Sequence, residues 1–293
     1  MGRMAGKVAV IFGVGPNNGG TIAHFMAREG AKIFACDLAP AQVEDTVRFL
    51  RAKGFEAEGT TCNASVETDV ARVVAEAVAL FGHVDTLVNL AGRQIRHSIL
   101  DMTVEDWKEC TGTYLDAGML TTKHVARAMV DQNRKGCLIH VLSTAAHFGQ
   151  AGNSAYSAAK AGLMNFARAA AMDLAHLGIR VNTLTPFAME HNVYPQGLFG
   201  SGVEGKPTRY SFTREDVLRI IPMGRYPRAS DLAHCCVFLA SDEAEFLTGI
   251  DIPCDGGTRV KYPSWRPGDF KNATMDEFKE NLVALRYGEP VDP

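Results

Sequence analysis

Short apolar, β-branched runs alternate with longer helical stretches along most of this chain, and no other feature constrains its fold as much. The runs Val8–Phe12, Lys32–Cys36, Thr86–Asn89, Cys137–Leu142, Ile179–Leu184 and Thr248–Pro253 read as strands, with Glu56–Thr61 a weaker seventh. Between them Thr21–Arg28, Ala41–Ala52, Val66–Phe81, Val104–Val130, Ser154–Ala175 and Ser230–Leu239 read as helices. Apolar strands in alternation with helices call for a parallel sheet covered on both faces. Such a doubly wound α/β sheet takes its ligands at the carboxyl ends of the strands.

The 293 residues, 46% hydrophobic, supply material for one large core, so residues 1–262 are expected to form a single domain. Within it, residues 190–222 are rich in Gly, Pro and aromatics, which suits a substrate-binding loop or lid. Residues 263–293 form a C-terminal extension. There Thr274 and Glu277 make a capping box, Met275, Phe278, Leu282 and Leu285 share one apolar face, and Gly288 and Pro290 end a short helix. A net charge of -3 with no basic stripe gives no footprint for nucleic acid. No apolar stretch approaches the roughly 20 residues that span a bilayer. Seven cysteines are scattered without metal-ligand spacing, which predicts reduced packing thiols, no metal site and a cytoplasmic protein.

The first strand runs into Gly13-Val-Gly-Pro-Asn17-Asn18-Gly19-Gly20 and then a helix. Glycines there let the backbone turn tightly and bring N–H groups to a pyrophosphate at a helix N-terminus. Asp37 ends the second strand eighteen positions after Gly19. A carboxylate so placed accepts from the ribose hydroxyls of an adenosine and repels a 2′-phosphate, which favours NAD over NADP. The alternative for Asp37 is a helix N-cap before Ala39-Pro40. Further on, Tyr156 and Lys160 stand four residues apart, on one face of a helix. An ammonium beside a phenol lowers its pKa and makes a general base available. Ser143 ends the preceding strand, where a hydroxyl can donate to a developing alkoxide. Asn89-Leu-Ala91-Gly92 ends another strand at the edge expected to face a cofactor.

Taken together and in order, these residues resemble the short-chain dehydrogenase/reductase family over nearly all of residues 6–260. Arg180-Val-Asn182 leading to Pro186, Phe238-Leu-Ala-Ser-Asp242, Thr248-Gly249 and Asp255-Gly256-Gly257 extend the likeness. The resemblance implies a seven-stranded Rossmann sheet, a homo-oligomer (tetramer or dimer) and an oxidoreductase acting on a small molecule. It implies Tyr156 as acid/base, Ser143 polarising the carbonyl, and Lys160 holding the nicotinamide ribose. The implied cofactor set is Gly13, Asn17, Asn18, Gly19, Asp37, Asn63, Ala64, Asn89, Ala91, Gly92, Pro186, Phe187 and Met189, with Tyr156 and Lys160.

The chain departs from the family at several points. Asn17 replaces the middle glycine of the turn, where its tolerance of left-handed backbone would preserve the shape. Phe12 replaces the common Thr before the first glycine. Asn63 replaces an Asp that meets the adenine amino group, a bond an amide oxygen can still accept. Phe187 stands for a glycine and His191 for a Thr. Tyr114 occupies the position of an active-site Asn thought to link the lysine to solvent, and joins the catalytic set with a modified proton relay. The substrate set is His97, Thr144, Ala145, Phe148, Phe187 and Tyr194, with His147 and Phe199 also expected at the rim, and it suggests an apolar, cyclic or aromatic substrate. Arg93 and Arg96 are candidates to meet a carboxylate or phenolate, or to stand as solvated loop charges. Two alternatives share the scaffold: an NAD(H)-binding sensor without turnover, and a lyase or epimerase.

Overall fold

In the computed structural model, which describes residues 2–189, 193–194, 197–198 and 218–262, strand β1 (Val8–Phe12) is buried along its whole length. Its alternate residues serve two cores. Ala9 and Ile11 face one cluster with Ile22, Met26, Leu50 and Val237; Val10 and Phe12 face another with Val70, Val74, Leu120 and Ala171. A strand apolar on both sides has no solvent face to encode, so its sequence is an unbroken apolar run.

The elements follow in order: α1 (Asn18–Arg28), β2 (Lys32–Asp37), α2 (Pro40–Ala52), β3 (Ala57–Thr61), α3 (Glu67–Phe81), β4 (Thr86–Asn89), α4 (Val104–Asp131), β5 (Gly136–Val141), α5 (Ser154–Ala175) and β6 (Ile179–Pro186). A two-stranded ribbon, β7 (Val193–Tyr194) and β8 (Gly197–Leu198), precedes α6 (Ala229–Ala240) and β9 (Asp251–Cys254). The 7-stranded sheet runs β3-β2-β1-β4-β5-β6-β9, with parallel pairing throughout. Helices cover both faces, giving the expected doubly wound Rossmann sheet. The order reverses between β1 and β4, which places the ligand crevice beyond the carboxyl ends of those two strands.

Most element ends fall within two residues of the sequence expectation, and two starts differ by three for physical reasons. The last strand begins at Asp251 rather than Thr248, because Gly249 turns with φ of 73° and donates its N–H to Val181 O at 2.8 Å. Thr248 Oγ1 accepts from Val181 N at 3.1 Å, so this segment closes a turn before pairing begins. Helix α1 begins at Asn18 rather than Thr21, so Gly19 and Gly20 lie in its first turn. The C-terminal extension 263–293 and most of 190–222 lie outside the described residues. Among the described residues no helix is long and apolar enough to cross a membrane, and no cluster of His, Cys, Asp and Glu could hold a metal.

Candidate active site

Two hollows, of about 730 and 400 Å³, open side by side at the switch point, and Leu90 and Gln94 line both. The larger runs from the end of β1 across Asp37 and Asn63 to Gly92. Gly13 turns out of β1 with φ of 90° and donates to Cys36 O at 2.7 Å. A Cβ on Gly19 would stand 1.9 Å from Gly13 O, so the turn and the start of α1 meet too closely for any side chain there. Asn17 has φ of -88°, so the left-handed tolerance expected of it is not called on. Asn18 Oδ1 is buried and lacks a hydrogen-bond partner, an acceptor left over for a donor in the smaller hollow, which Asn18 lines. A tight glycine turn, a helix N-terminus and an unspent buried acceptor fit a dinucleotide.

Asp37 is not a helix cap; Ala39 is the N-cap of α2. Asp37 Oδ1 accepts from Ala39 N at 3.0 Å, which fixes the carboxylate at the rim and leaves Oδ2 for ribose hydroxyls. Among the described residues the one cation lining this hollow is Arg93, which follows β4, two strands across from β2, and pairs with Glu109 at 2.7 Å. Asn63 differs from expectation. Its Oδ1 accepts from Ser65 N at 3.1 Å and Ser65 Oγ at 2.7 Å, so the oxygen assigned to an adenine amino group already holds its own turn. Ala64 lines the hollow beside it. Asn89 also works from behind. Its Oδ1 accepts from Ala91 N at 3.0 Å, and its Nδ2 lies 3.4 Å from His140 Nδ1. His140 Nε2 lies 2.9 Å from Thr122 Oγ1, and burial pushes this imidazole down to about 3, so it stays neutral. Nothing in the sequence pattern flagged His140 or Thr122.

The smaller hollow brings together the residues expected to carry the chemistry, Ser143, Tyr156, Lys160 and Tyr114. Ser143 precedes the 3-10 turn Thr144–Ala146, and its Oγ accepts from Ala145 N at 3.2 Å, leaving the O–H to donate. Helix α5 presents Tyr156 and Lys160 one turn apart. Burial raises the Tyr156 phenol; a hydrogen bond with Ser143 and the charge of Arg96 draw it back. The expected lowering by Lys160 is not what the geometry provides. Its ammonium donates to Val141 O at 2.7 Å and lies 4.3 Å from the Tyr114 ring centroid, against 5.8 Å from that of Tyr156. Burial pushes Lys160 itself down to about 7. Tyr114 is buried and stands edge-on to Tyr156, with centroids 5.2 Å apart. Burial raises the Tyr114 phenol strongly, so it holds its proton at neutral pH and offers Lys160 a ring face rather than a base. Tyr114 also abuts the cofactor turn: a Cβ on Gly92 would fall 1.9 Å from its ring.

Thr144, Ala145, Phe148 and Phe187, expected at the substrate, line the same hollow, and so do Pro186 and Met189, expected at the cofactor. His97 does not; its Nε2 lies 3.7 Å from Asp106 Oδ2 on an exposed loop. His147 turns behind the wall, where its Nε2 meets Arg259 Nη1 and lies 3.2 Å from Asp251 Oδ2. Asp251 Oδ1 accepts from Thr183 Oγ1 at 2.9 Å and Thr185 Oγ1 at 2.7 Å, so this network ties the Ser143 loop to β6 and β9. The side chains of Tyr194, His191 and Phe199 lie outside the described residues. Gln94, Gln150 and Ile220 line the hollow without any motif to announce them.

Known proteins share this architecture. The sequence model of the family described as enoyl-(acyl carrier protein) reductase matches residues 18–259. The chain is 32% identical over 262 residues to 2,5-dichloro-2,5-cyclohexadiene-1,4-diol dehydrogenase of Sphingobium indicum, covering 88% of this chain and 98% of that one. It is 33% identical over 258 residues to L-rhamnose 1-dehydrogenase (NAD(P)(+)) of Azotobacter vinelandii, covering 87% and 97%. A crystal structure of a short-chain dehydrogenase/reductase from Burkholderia xenovorans superposes with a TM-score of 0.78 at 30% identity, covering 89% of this chain and all of that one.

Proposed function

The chain belongs to the short-chain dehydrogenase/reductase family of oxidoreductases acting on CH–OH groups, and from that premise we propose that it moves a hydride between NAD and the carbinol or carbonyl carbon of a largely apolar, cyclic or aromatic secondary alcohol or ketone. The observation that carries this reading is one hollow in which Ser143, Tyr156 and Lys160 converge beside a cleft rimmed by Asp37.

The nicotinamide supplies the hydride acceptor or donor when bound. Gly13, Gly19, Asp37 and the Asn89–Gly92 turn would hold it, with Pro186, Phe187 and Met189 walling the far side. Tyr156 takes the proton from the substrate hydroxyl in oxidation and returns it in reduction. Ser143, beside Tyr156 in the same hollow, donates to the same oxygen and steadies its negative charge. Lys160, drawn to Val141 O, places a donor near the ribose side of the hollow. Phe148 and Phe187 supply apolar walls, which supports a ring-bearing substrate. NAD rather than NADP rests on Asp37 and on the lack, among the described residues, of a cation beside it. Exposed Met119 on α4 and Met172 on α5 support a homo-oligomer, here read as a homotetramer. Seven free cysteines agree with a reducing cytoplasm.

The test is cofactor-resolved turnover of cyclic and aromatic secondary alcohols, followed by nicotinamide absorbance. Tyr156→Phe is expected to lower kcat by about 10²- to 10⁴-fold while retaining NADH binding. Turnover that survives the substitution overturns the assignment of Tyr156.

A further inference from the structure

Behind the wall of the smaller hollow lies a charge cluster to which the reaction as described gives no part. Its centre is Arg259, just past the last strand of the sheet. The guanidinium donates from Nη1 to Asp251 Oδ2 at 2.9 Å and from Nε to Asp255 Oδ2 at 3.2 Å. The Arg259 backbone N–H donates to that same Asp255 oxygen at 3.1 Å. The side chains of Arg259, Asp251 and Asp255 are 15%, 8% and 5% exposed. Charges this far from water are screened little, so their pairing holds a geometry that surface pairs do not. Arg259 Nη1 also meets His147 Nε2. A guanidinium offers no acceptor, so Nε2 accepts and the imidazole carries its proton on Nδ1. Burial and the Arg259 charge lower the His147 imidazole, in keeping with that neutral form.

His147 is the member of the cluster that sits on the Ser143 loop. It closes the 3-10 turn Thr144–Ala146, at whose other end stands Ser143. Inside the turn Ala146 N donates to Ser143 O at 2.9 Å, while His147 N and Phe148 N both donate to Thr144 O at 3.0 Å. Residues 143–148 therefore move as one piece, and displacing His147 re-aims the Ser143 hydroxyl. The opposite end of the cluster is fixed to the sheet, because Asp251 Oδ1 takes the hydroxyls of Thr183 and Thr185 on β6. We infer that Arg259, Asp251 and His147 are positioning residues that set the aim of the Ser143 hydroxyl at the substrate oxygen, with His147 the link between the buried charges and the loop.

The inference rests on the hydride-transfer reading, and the experiment separates the two. Turnover of cyclic secondary alcohols, NADH affinity and deuterium uptake of the peptide spanning 143–149 are measured for His147→Leu and His147→Gln, each with and without Ser143→Ala. His147→Leu cuts the link and leaves both buried acids paired with Arg259, so the unfolding midpoint should hold. It is expected to lower kcat by about 10- to 100-fold, the cost of a misplacement near 1 Å, with NADH affinity unchanged and faster uptake in 143–149. His147→Gln, whose amide oxygen can stand in for Nε2, is expected to stay within about threefold of the wild type. On top of Ser143→Ala, His147→Leu should cost less than about threefold, since no hydroxyl remains to be aimed. A kcat for His147→Leu within about threefold of the wild type, or the same loss with and without the Ser143 hydroxyl, overturns the positioning role and leaves hydride transfer standing. A midpoint and an NADH affinity that fall together make the cluster merely structural and overturn the role as well. If the wild type turns over no alcohol, hydride transfer falls and uptake alone decides the anchor: faster uptake in His147→Leu upholds it, and unchanged uptake overturns it.

Discussion

Gly92 and Tyr114 touch across twenty-two positions of sequence, and a double-mutant cycle can measure that contact. A Cβ added at Gly92 would meet the Tyr114 ring at 1.9, 2.1 and 2.6 Å. Ordinary carbon contacts begin near 3.5 Å, so the ring would have to retreat by about 1.5 Å. It has little room, since the Lys160 ammonium sits 4.3 Å from its centroid and Tyr156 stands edge-on at 5.2 Å. Overpacking of this kind costs about 1–3 kcal/mol. Gly92 also has φ of 147°, which adds backbone strain for alanine of about 1–3 kcal/mol. Gly92→Ala should therefore destabilise the protein by about 2–6 kcal/mol. In a Tyr114→Asn background the ring is gone and only the backbone cost remains. The two substitutions should then be less than additive by about 1–3 kcal/mol, measured by urea unfolding of the wild type, both single variants and the double variant. Additivity within about 0.5 kcal/mol would refute the placement of Tyr114 against the cofactor turn.

Two further predictions follow from the cleft and from Lys160. Replacing Asp37 with Ser removes the carboxylate that repels a 2′-phosphate, so the ratio of NADP to NAD affinity should rise by at least tenfold, about 1.4 kcal/mol, as read by fluorescence titration with the reduced cofactors; an unchanged ratio would remove Asp37 from adenosine recognition. Burial pulls Lys160 from 10.5 to about 7, so between those values the folded chain binds fewer protons than the unfolded one. Unfolding free energy should thus climb with pH through that window, the penalty being complete below about pH 7. Lys160→Met should flatten this climb in urea midpoints taken across the window; a slope equal to that of the wild type would show that Lys160 is not the buried group responsible.

The sheet was legible because strands buried on both faces must be apolar throughout, as β1 is, and because the helices between them keep their own period. Tyr156 and Lys160 were legible for a related reason: their contact is local, fixed by one turn of helix. What escaped depends on pairs distant in sequence. The turn at Asn89 is anchored by His140, fifty-one positions on, and Thr122 then anchors His140. His147 reads as a pocket residue by its nearness to Ser143, yet Arg259 and Asp251 draw it behind the wall. Asn63 was assigned to the cofactor because its chemistry suits an adenine, while Ser65, two positions on, claims the same oxygen first. Local hydrogen bonds compete for short polar side chains in turns, and position in a motif does not say who wins.

Tyr114 bears on the choice between an enzyme and a sensor. Cys110, Tyr114, Ala155 and Ala159 form one buried cluster, with Tyr156 packed against its edge. Lys160 is itself buried, with the Tyr114 ring among its neighbours. An Asn in place of Tyr114 would put a polar amide where this chain has an aromatic ring. The ring in this chain instead fills the α4 side of Lys160 and lines the same hollow as Ser143 and Tyr156. With an aromatic ring on the α4 side of Lys160, a proton released from Tyr156 would leave through the hollow itself, after or with the product. A sensor would have no use for a serine, a tyrosine and a lysine converging on one hollow. The substitution therefore argues for a rerouted proton rather than for lost chemistry, and it predicts that Tyr114→Phe, which keeps the ring and removes only a phenol that never ionises, leaves kcat within about threefold of the wild type, less than 0.7 kcal/mol. A loss beyond about tenfold in that variant, read from the same nicotinamide assay, would make the Tyr114 hydroxyl part of the relay and overturn the rerouting.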